Sequence, residues 1–537
     1  DGQETKVIGS ITELKEAIEI SVSNGLMDEN PFADFNEGDF SDKNYNLVDL
    51  HKNIVDKLIL SGSNGQPMRR ESDLVDVWFD SGSMPYAQWH YPFENKEKID
   101  AGESFPADYI AEGVDQTRGW FYTMHAIATL VFEKKAYKNV ISNGLVLDKA
   151  GQKMSKRLGN AVDPFKALDK FGADAIRWYM ISNTNPWDNL KFDTEGISEV
   201  QRKFFGTLYN TYSFFGLYAN IDAFDPKKEG IIPLKERAEL DLWILSELHS
   251  LIKEVDAAYE DYEPTKAARL ISDFVQEKLS NWYVRLCRRR FWKGDYGPDK
   301  IAAYQTLYEC LISVSKLAAP IAPFFMDRLY QDLLQNTNES IHLTDFPVVN
   351  SENINVSLEE QINKARTLTS LALSLRKKEQ IRVRQPLQKM IIPVKNSSER
   401  KQIESITKQL KGEINIKTIE FLDDANSLLV KEVKPNFRVL GPRFGRDMKA
   451  IVDIIQALTD EQVIELEENG TLKVELNKKN IILEQSDVEI CFKDIEGWQI
   501  AQGNGMTVAL DMTLTPELIR EGIARELINR IQTFRKD

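Results

Sequence analysis

Two lysines three residues apart, Lys153 and Lys156, stand in the run Lys153-Met154-Ser155-Lys156-Arg157. A strand-like stretch (139–147) and the loop Lys149-Ala150-Gly151-Gln152 lead into it. Lysine is a compact cation on a flexible stem, so such a pair suits a polyphosphate whose charge moves as a bond breaks. Each charge-assisted hydrogen bond of this kind contributes roughly 1.5–3 kcal/mol. A solvated basic loop has the same composition, and the pair alone does not separate the two readings. A second set is Glu112-Gly113-Val114-Asp115-Gln116-Thr117-Arg118-Gly119-Trp120-Phe121, where a strand-like run (107–111) hands over to a helical one (117–132). Open α/β sheets bind ligands at the carboxyl ends of their strands. Glycine there lets backbone approach a ligand, and Glu112, Asp115 and Gln116 offer acceptors to an ammonium or to ribose hydroxyls. The competing reading is a helix start capped by Asp115, with the other polar groups in solvent. Upstream, Asp76-Val77-Trp78-Phe79-Asp80-Ser81-Gly82-Ser83 reads as a packed turn or as part of the same site.

A third set is basic. Arg285, Arg288 and Arg289 share one helical face, next to Arg290 and Lys293, and Trp282, Tyr283, Phe291 and Trp292 interleave with them. Arginine pairs with phosphate and aromatic rings stack on unpaired bases. Alternatively the aromatics are core and the arginines meet acidic neighbours. A further cluster comprises Arg376, Lys377, Lys378, Arg382 and Arg384.

The elements that must position these residues follow from periodicity. Residues 1–104 read as loop-rich, with one amphipathic helix (12–20) and the turn cluster Ser61-Gly62-Ser63-Asn64-Gly65. Strand, helix, strand over 105–196, with a loop at a strand's carboxyl end and a helix at 173–181, is βαβ grammar. Residues 197–345 predict a helix bundle. Leu240, Ile244, Leu248, Leu251 and Val255 keep a 3.6-residue stripe, as do Ala267, Leu270, Ile271, Phe274 and Leu279, and Tyr304, Leu307, Leu311 and Val314. Pro320 and Pro323 interrupt the run. Beyond it, 346–537 reads as a separate α+β domain. It holds a helix (358–378), strands at 390–394, 417–421, 471–476, 480–484, 488–492 and 507–512, a helical stretch near 449–467, and Asn469-Gly470 as a hairpin turn. The expected fold is therefore multidomain, α/β plus all-α plus α+β.

At 537 residues, 42% hydrophobic and 28% charged, the composition is that of a globular protein. No run reaches the roughly 18 apolar residues that cross a bilayer, and residues 1–30 carry no signal-peptide pattern. The three cysteines, Cys287, Cys310 and Cys491, lack paired spacings for zinc or a disulfide framework, so a reducing cytoplasm is expected. A net charge of −15 argues against non-specific coating of nucleic acid or membrane, yet allows a local basic face to hold RNA. The start at Asp1 and the stop at Lys536-Asp537 suggest a piece of a longer chain.

The words DVWFDSGSMPYAQ, EGVDQTRGWFY, NGLVLD, KMSKRLGN, FGADAIRWYMI and NWYVRLCRRRFW, in this order, resemble class I aminoacyl-tRNA synthetases and, among them, the isoleucyl-tRNA synthetases. Valyl and leucyl relatives share the fold and the loop, and a tRNA-binding module that leaves the loop unused is the rival from another class. The resemblance implies the second half of a Rossmann-type catalytic domain, a helical anticodon-binding domain and a truncated C-terminal α+β domain. It implies Lys153 and Lys156 on the phosphates of ATP, with Ser155 in the same loop and Mg2+ accompanying the nucleotide. Glu112, Gly113, Asp115 and Gln116 would surround the aminoacyl-adenylate, and Trp120 would face the isoleucine side chain. Arg285, Arg288, Arg289, Arg290 and Lys293 would contact tRNA(Ile). A pocket rejects a side chain one methylene shorter by only about 1–3 kcal/mol, for which isoleucine against valine is the standard illustration, hence the family's editing domain. That domain and an H-x-G-H signature are expected upstream, since none of the five histidines lies in such a pattern. Zinc is possible in the longer parent without ligands here. A monomer is expected, with no membrane association, and the chain alone is expected to be inactive.

Overall fold

The computed structural model describes residues 4–73, 76–336, 338–422, 431–476, 479–492 and 497–535. The chain divides into two compact units. The first comprises Asp1–Met154 with Pro186–Lys191, the second Ser155–Asn185 with Phe192–Asp537.

In the first unit, the helix Ile11–Ser23 starts where the Ser10 hydroxyl accepts the Glu13 N–H. It packs on the hairpin Ile59–Ser61/Pro67–Arg69, whose turn is the predicted Ser-Gly-Ser-Asn-Gly cluster, and buries Ile18, Phe32 and Leu58. The segment is more helical than its sequence suggests. Short helices occupy Asp42–Tyr45, Lys52–Val55, Val77–Gly82, Met84–Ala87 and Lys96–Asp100, each too short to display a period. The strands Ala107–Gly113 and Tyr137–Asn143 pair in parallel, Ala107 opposite Tyr137 and Gly113 opposite Asn143. The crossover helix Trp120–Phe132 joins them over a core of Ile99, Phe105, Ile110, Phe121, Met124, Ala128 and Ala136. The second predicted strand is split. Asn143 ends the first piece, and Val146–Leu147 pairs in parallel with Leu190–Lys191 instead. Gly144 marks the split because its backbone lies against Asp188, whose carbonyl oxygen would sit 2.2 Å from a Cβ.

The second unit opens with Pro164–Phe171 and Ala173–Asn183 and continues as the helices Gly206–Asp222, Glu239–Glu260, Pro264–Asp273, Arg285–Trp292, Pro298–Ala318 and Pro323–Leu334. Ile244, Leu248, Val255, Ala267, Ile271, Phe274, Leu279, Tyr304, Leu307, Leu311 and Val314 are all buried, as their stripes require. The backbone from Phe274 to Val284 widens into a π-helix. The helix Val356–Lys378 then covers a four-stranded sheet in the order Trp498–Gly503, Met506–Asp511, Leu387–Pro393, Ile416–Leu422. The last pair is parallel and the others antiparallel. Trp498–Gly503 and Lys431–Pro435 had no prediction. Asn469-Gly470 is not a hairpin turn: Gly470, at φ 71°, caps the helix Asp460–Asn469, and beyond it Thr471–Leu476 pairs antiparallel with Lys479–Glu484. Glycine after a helix satisfies the last carbonyls in the left-handed conformation, a use that competes with its use in turns.

Candidate functional site: a strand end, a lysine loop and a basic helix

The strand Ala107–Gly113 delivers Glu112 and Gly113 to its carboxyl end, and a 3-10 turn, Val114–Arg118, carries Asp115 and Gln116 past it. Glu112 and Asp115 are exposed and Gln116 is half-buried. Asp115 does not cap the crossover helix, contrary to the capping alternative. The Gln116 side-chain carbonyl accepts the Trp120 N–H at 2.9 Å and closes the helix start instead. Glu112 and Asp115 therefore present carboxylates to solvent beside backbone that turns sharply.

Trp120 is half-buried and packs against the core of this unit, while its indole N–H donates to the Ser81 carbonyl at 2.8 Å. That bond ties the Asp76–Ser83 word to the site. Its residues form the helix Val77–Gly82, opened by the Asp76 carboxylate accepting the Trp78 N–H at 2.7 Å. Gly82 presses on the crossover helix so closely that a Cβ would lie 2.7 Å from Ile127 Cδ1 and 3.2 Å from the Thr123 carbonyl carbon. The word is a short helix docked on a helix, not a turn, and it fixes the height of Trp120.

The lysine loop follows the strand Val146–Leu147. Asp148 turns it, its carboxylate accepting the Gln152 N–H at 2.8 Å, and Lys153 bridges back to Leu147. Lys153 is exposed and belongs to the first unit. Ser155, in the second unit, is occupied locally: its hydroxyl accepts the Leu158 N–H at 3.2 Å, and its own N–H donates to Asn160 Oδ1 at 2.9 Å. The backbone of Lys156 opens the 3-10 turn Lys156–Leu158, and its side chain lies outside the described residues. The unit boundary thus runs through the loop itself, between Met154 and Ser155. Downstream, Asp163 caps Pro164–Phe171. The buried Asp174 carboxylate accepts the Phe325 N–H at 2.7 Å, joining Ala173–Asn183 to the bundle helix Pro323–Leu334.

On the basic helix Arg285–Trp292 the five candidates separate. Arg285, Arg288, Arg289 and Lys293 are exposed. Arg285 pairs with Glu413 at 2.6 Å, and the Arg288 guanidinium lies 5.8 Å from the Phe214 ring centre. Arg290 turns inward instead. It grips the fully buried Asp241 with both terminal nitrogens (2.7 and 2.8 Å) and also meets Asp299, while the Tyr283 hydroxyl donates to Asp241 at 2.6 Å. Burial opposes its charge, but the hydrogen bonds and charge of Asp241 outweigh that and push the guanidinium pKa up. Trp282, Tyr283 and Phe291 are core, and Trp292 is exposed. Within the further cluster, Arg376 is buried and donates to the carbonyls of Arg382, Gln385 and Asn415. Burial pushes its pKa down to about 10. Arg382 and Arg384 both pair with Glu526.

Sequence reasoning missed Gln116 as the helix closer, Asn160 as the loop's organiser and Asp241 as the anchor of Arg290. Only Asp241 left a signal, an acid three residues before Ile244 on an otherwise apolar stripe. No group of three or more His, Cys, Asp or Glu among the described residues gathers to hold a metal.

Comparisons with known proteins bear on both units. Residues 23–193 match the family of tRNA synthetases class I (I, L, M and V), and residues 241–391 match the anticodon-binding domain of tRNA ligase. Over its whole length the chain is 56% identical to an isoleucine–tRNA ligase of Bacteroides fragilis, covering 47% of that protein. It is 55% identical to that of Porphyromonas gingivalis and 53% to that of Cytophaga hutchinsonii, with the same coverage. The chain spans about half the length of these curated relatives.

Proposed function

From the premise that this chain belongs to the class I tRNA synthetases, we propose that it is about half of an isoleucine–tRNA ligase, which activates isoleucine with ATP and transfers it to tRNA(Ile). The end-to-end identity to isoleucine enzymes, unbroken through both units, carries this reading. In it, Lys153 and Lys156 hold the phosphates of ATP, which arrives with Mg2+. Their cations follow the charge that builds on the leaving pyrophosphate, where an interaction present only in the transition state raises the rate. Ser155 contributes through the backbone, its hydroxyl holding the turn that begins at Lys156. The carboxylates of Glu112 and Asp115, with Gly113 and Gln116, receive the ammonium and ribose of the adenylate. Trp120 offers an apolar wall, its indole held by the Ser81 carbonyl.

On the same reading, residues 1–104 lead into the catalytic domain, 105–196 are its second half, 197–345 bind the anticodon region and 346–537 form the C-terminal domain. Arg285, Arg288, Arg289 and Lys293 make the basic face toward tRNA, and Arg290 supports it from inside. The protein is proposed to act as a cytoplasmic monomer. No described helix is long and apolar enough to cross a membrane.

The test uses the full-length protein. Lys156→Ala should slow isoleucine-dependent pyrophosphate exchange by about 2–4 kcal/mol of barrier while leaving isoleucine binding nearly unchanged, the cost of losing one transition-state donor. Exchange supported by valine or leucine in preference to isoleucine would overturn the substrate, and an unaffected variant would overturn the role of the loop.

A further inference from the structure

The helix Ala173–Asn183, which follows the lysine loop, ends at Thr184 in extended backbone (φ −146°), without a glycine to turn its last carbonyls. A helix leaves its final four carbonyls open, and other groups must meet them. Side chains of the bundle helix Pro264–Asp273 do so. The buried Thr265 hydroxyl donates to the Ile181 carbonyl at 2.7 Å, with the Thr184 carbonyl 3.1 Å away. Arg269 donates through Nε to the Ser182 carbonyl at 2.8 Å and through a terminal nitrogen to the Asn183 carbonyl at 2.9 Å. Successive carbonyls from Ile181 to Thr184 thus meet two side chains one turn apart on another helix. The Arg269 charge also lies at the negative end of the helix dipole, which strengthens both of its bonds.

The other attachments of this helix act in the same sense. In its first turn, Asp174 accepts the Phe325 N–H and so caps Pro323–Leu334 from outside. The Trp178 indole donates to the Ser272 hydroxyl at 3.1 Å, on the helix that carries Thr265, and its ring stacks on Phe204 at 4.0 Å. Just upstream, the Gln201 amide donates to the Phe171 carbonyl at 2.8 Å. The helix is therefore tied to the bundle along its whole length.

Chain connectivity makes the last of these ties the informative one. The chain passes from the first unit to the second between Met154 and Ser155, inside the lysine loop, and returns between Asn185 and Pro186. The cap from Thr265 and Arg269 stands immediately before that return. The strand Leu190–Lys191, which follows it, pairs with Val146–Leu147, the strand that leads into Lys153. A fixed return therefore limits the travel of both ends of the loop. The geometry points to Thr265 and Arg269 as positioning residues for the lysine loop, holding the end of Ala173–Asn183 so that Lys153 and Lys156 reach the same phosphates. The assignment rests on the reading of the loop as the holder of those phosphates. Neither residue touches the reacting atoms, and none need do so, since a displacement of about 1 Å far from the chemistry can cost about a hundredfold in rate.

The test is steady-state isoleucine-dependent pyrophosphate exchange in the full-length protein. Arg269 is exposed, so Arg269→Met removes its two bonds without opening the core. It should lower kcat about tenfold and leave the KM for isoleucine unchanged. Arg269→Lys returns a cation to the helix end and should recover most of that loss. Thr265→Val should lower kcat about threefold, and Thr265→Ser, which keeps the hydroxyl, should match wild type. In a Lys156→Ala background Arg269→Met should cost almost nothing further, because the contact it positions is already gone. Losses that multiply instead mark the cap as structural support alone and overturn the proposal. So does an unchanged kcat in Arg269→Met, or a loss that falls on the KM for isoleucine. The single variants separate the two levels. If Lys156→Ala exchanges pyrophosphate as fast as wild type, the reading of the loop fails and the positioning role with it. A slow Lys156→Ala beside a wild-type rate in Arg269→Met sinks the positioning role and leaves the loop standing.

Discussion

At the strand end of the first unit, Glu112 and Asp115 both point to water. On the basic helix of the second unit, Arg289 points to water while Arg290, one residue on, is locked onto a buried aspartate. The first arrangement is set by chain direction: a strand that stops leaves its last residues at the sheet's rim whatever their type. The second is set by angle, since each helical residue turns about 100° from the last, so Cys287, Arg290 and Phe291 face in while Arg285, Arg288 and Arg289 face out. A rim tolerates polar groups without compensation. A helix face that turns inward does not, and an arginine there needs acceptors: Arg290 has the Asp241 carboxylate, and Arg376 has the carbonyls of Arg382, Gln385 and Asn415.

The sharpest way to break this contrast is Arg290→Met. It leaves Asp241 buried without a cation and should cost about 3–5 kcal/mol in urea unfolding, whereas Glu112→Gln at the rim should stay within about 0.5 kcal/mol. Adding Asp241→Leu to Arg290→Met should recover part of the loss, since no charge then remains buried. A melting curve unmoved by Arg290→Met would return Arg290 to the RNA-facing set.

A middle-sized effect is expected at Trp120, which belongs to both categories. Trp120→Phe keeps an aromatic wall but frees the Ser81 carbonyl, and should lower stability by about 1 kcal/mol. In the full-length protein it should also raise the KM for isoleucine. Lost stability with unchanged KM would make the residue core alone.

The smallest effect concerns His249, buried in the bundle. Its Nδ1 accepts the Asn350 N–H at 3.2 Å, its Nε2 lies 3.0 Å from the Asn353 amide, and Glu309 stands 4.0 Å away. Burial lowers its pKa, so below the ordinary value near 6.5 the unfolded chain takes up a proton that the folded chain resists. Stability is therefore full above that value and declines as pH falls through it. His249→Gln should flatten melting temperature against pH between 7 and 5, and an unchanged slope would assign the dependence to groups other than His249; burial raises the Glu309 pKa, so its own contribution runs the opposite way.

The stripes of the bundle were legible because a buried helix must repeat every 3.6 residues: Ile244, Leu248, Leu307 and Leu311 are fully buried, while Leu240 and Leu270 of the same stripes are half-buried. The βαβ order was legible for the same local reason, as was the lysine loop at a strand end. The short helices of residues 42–100 were not, since four to six residues hold less than two turns of period. Nor was Trp498–Gly503, whose pairing with Met506–Asp511 supplies what its own pattern lacks.

Composition and spacing determined by themselves which residues carry charge, which faces are apolar and in what order the elements run, because these are properties of the local chain. Tertiary structure alone decided that Arg290 meets Asp241, 49 residues away, that Gly82 brings one helix onto another, and that Thr265 and Arg269 meet the end of the helix Ala173–Asn183. Each of these depends on two segments distant in sequence arriving at one place, and no local preference records the partner a side chain will find there.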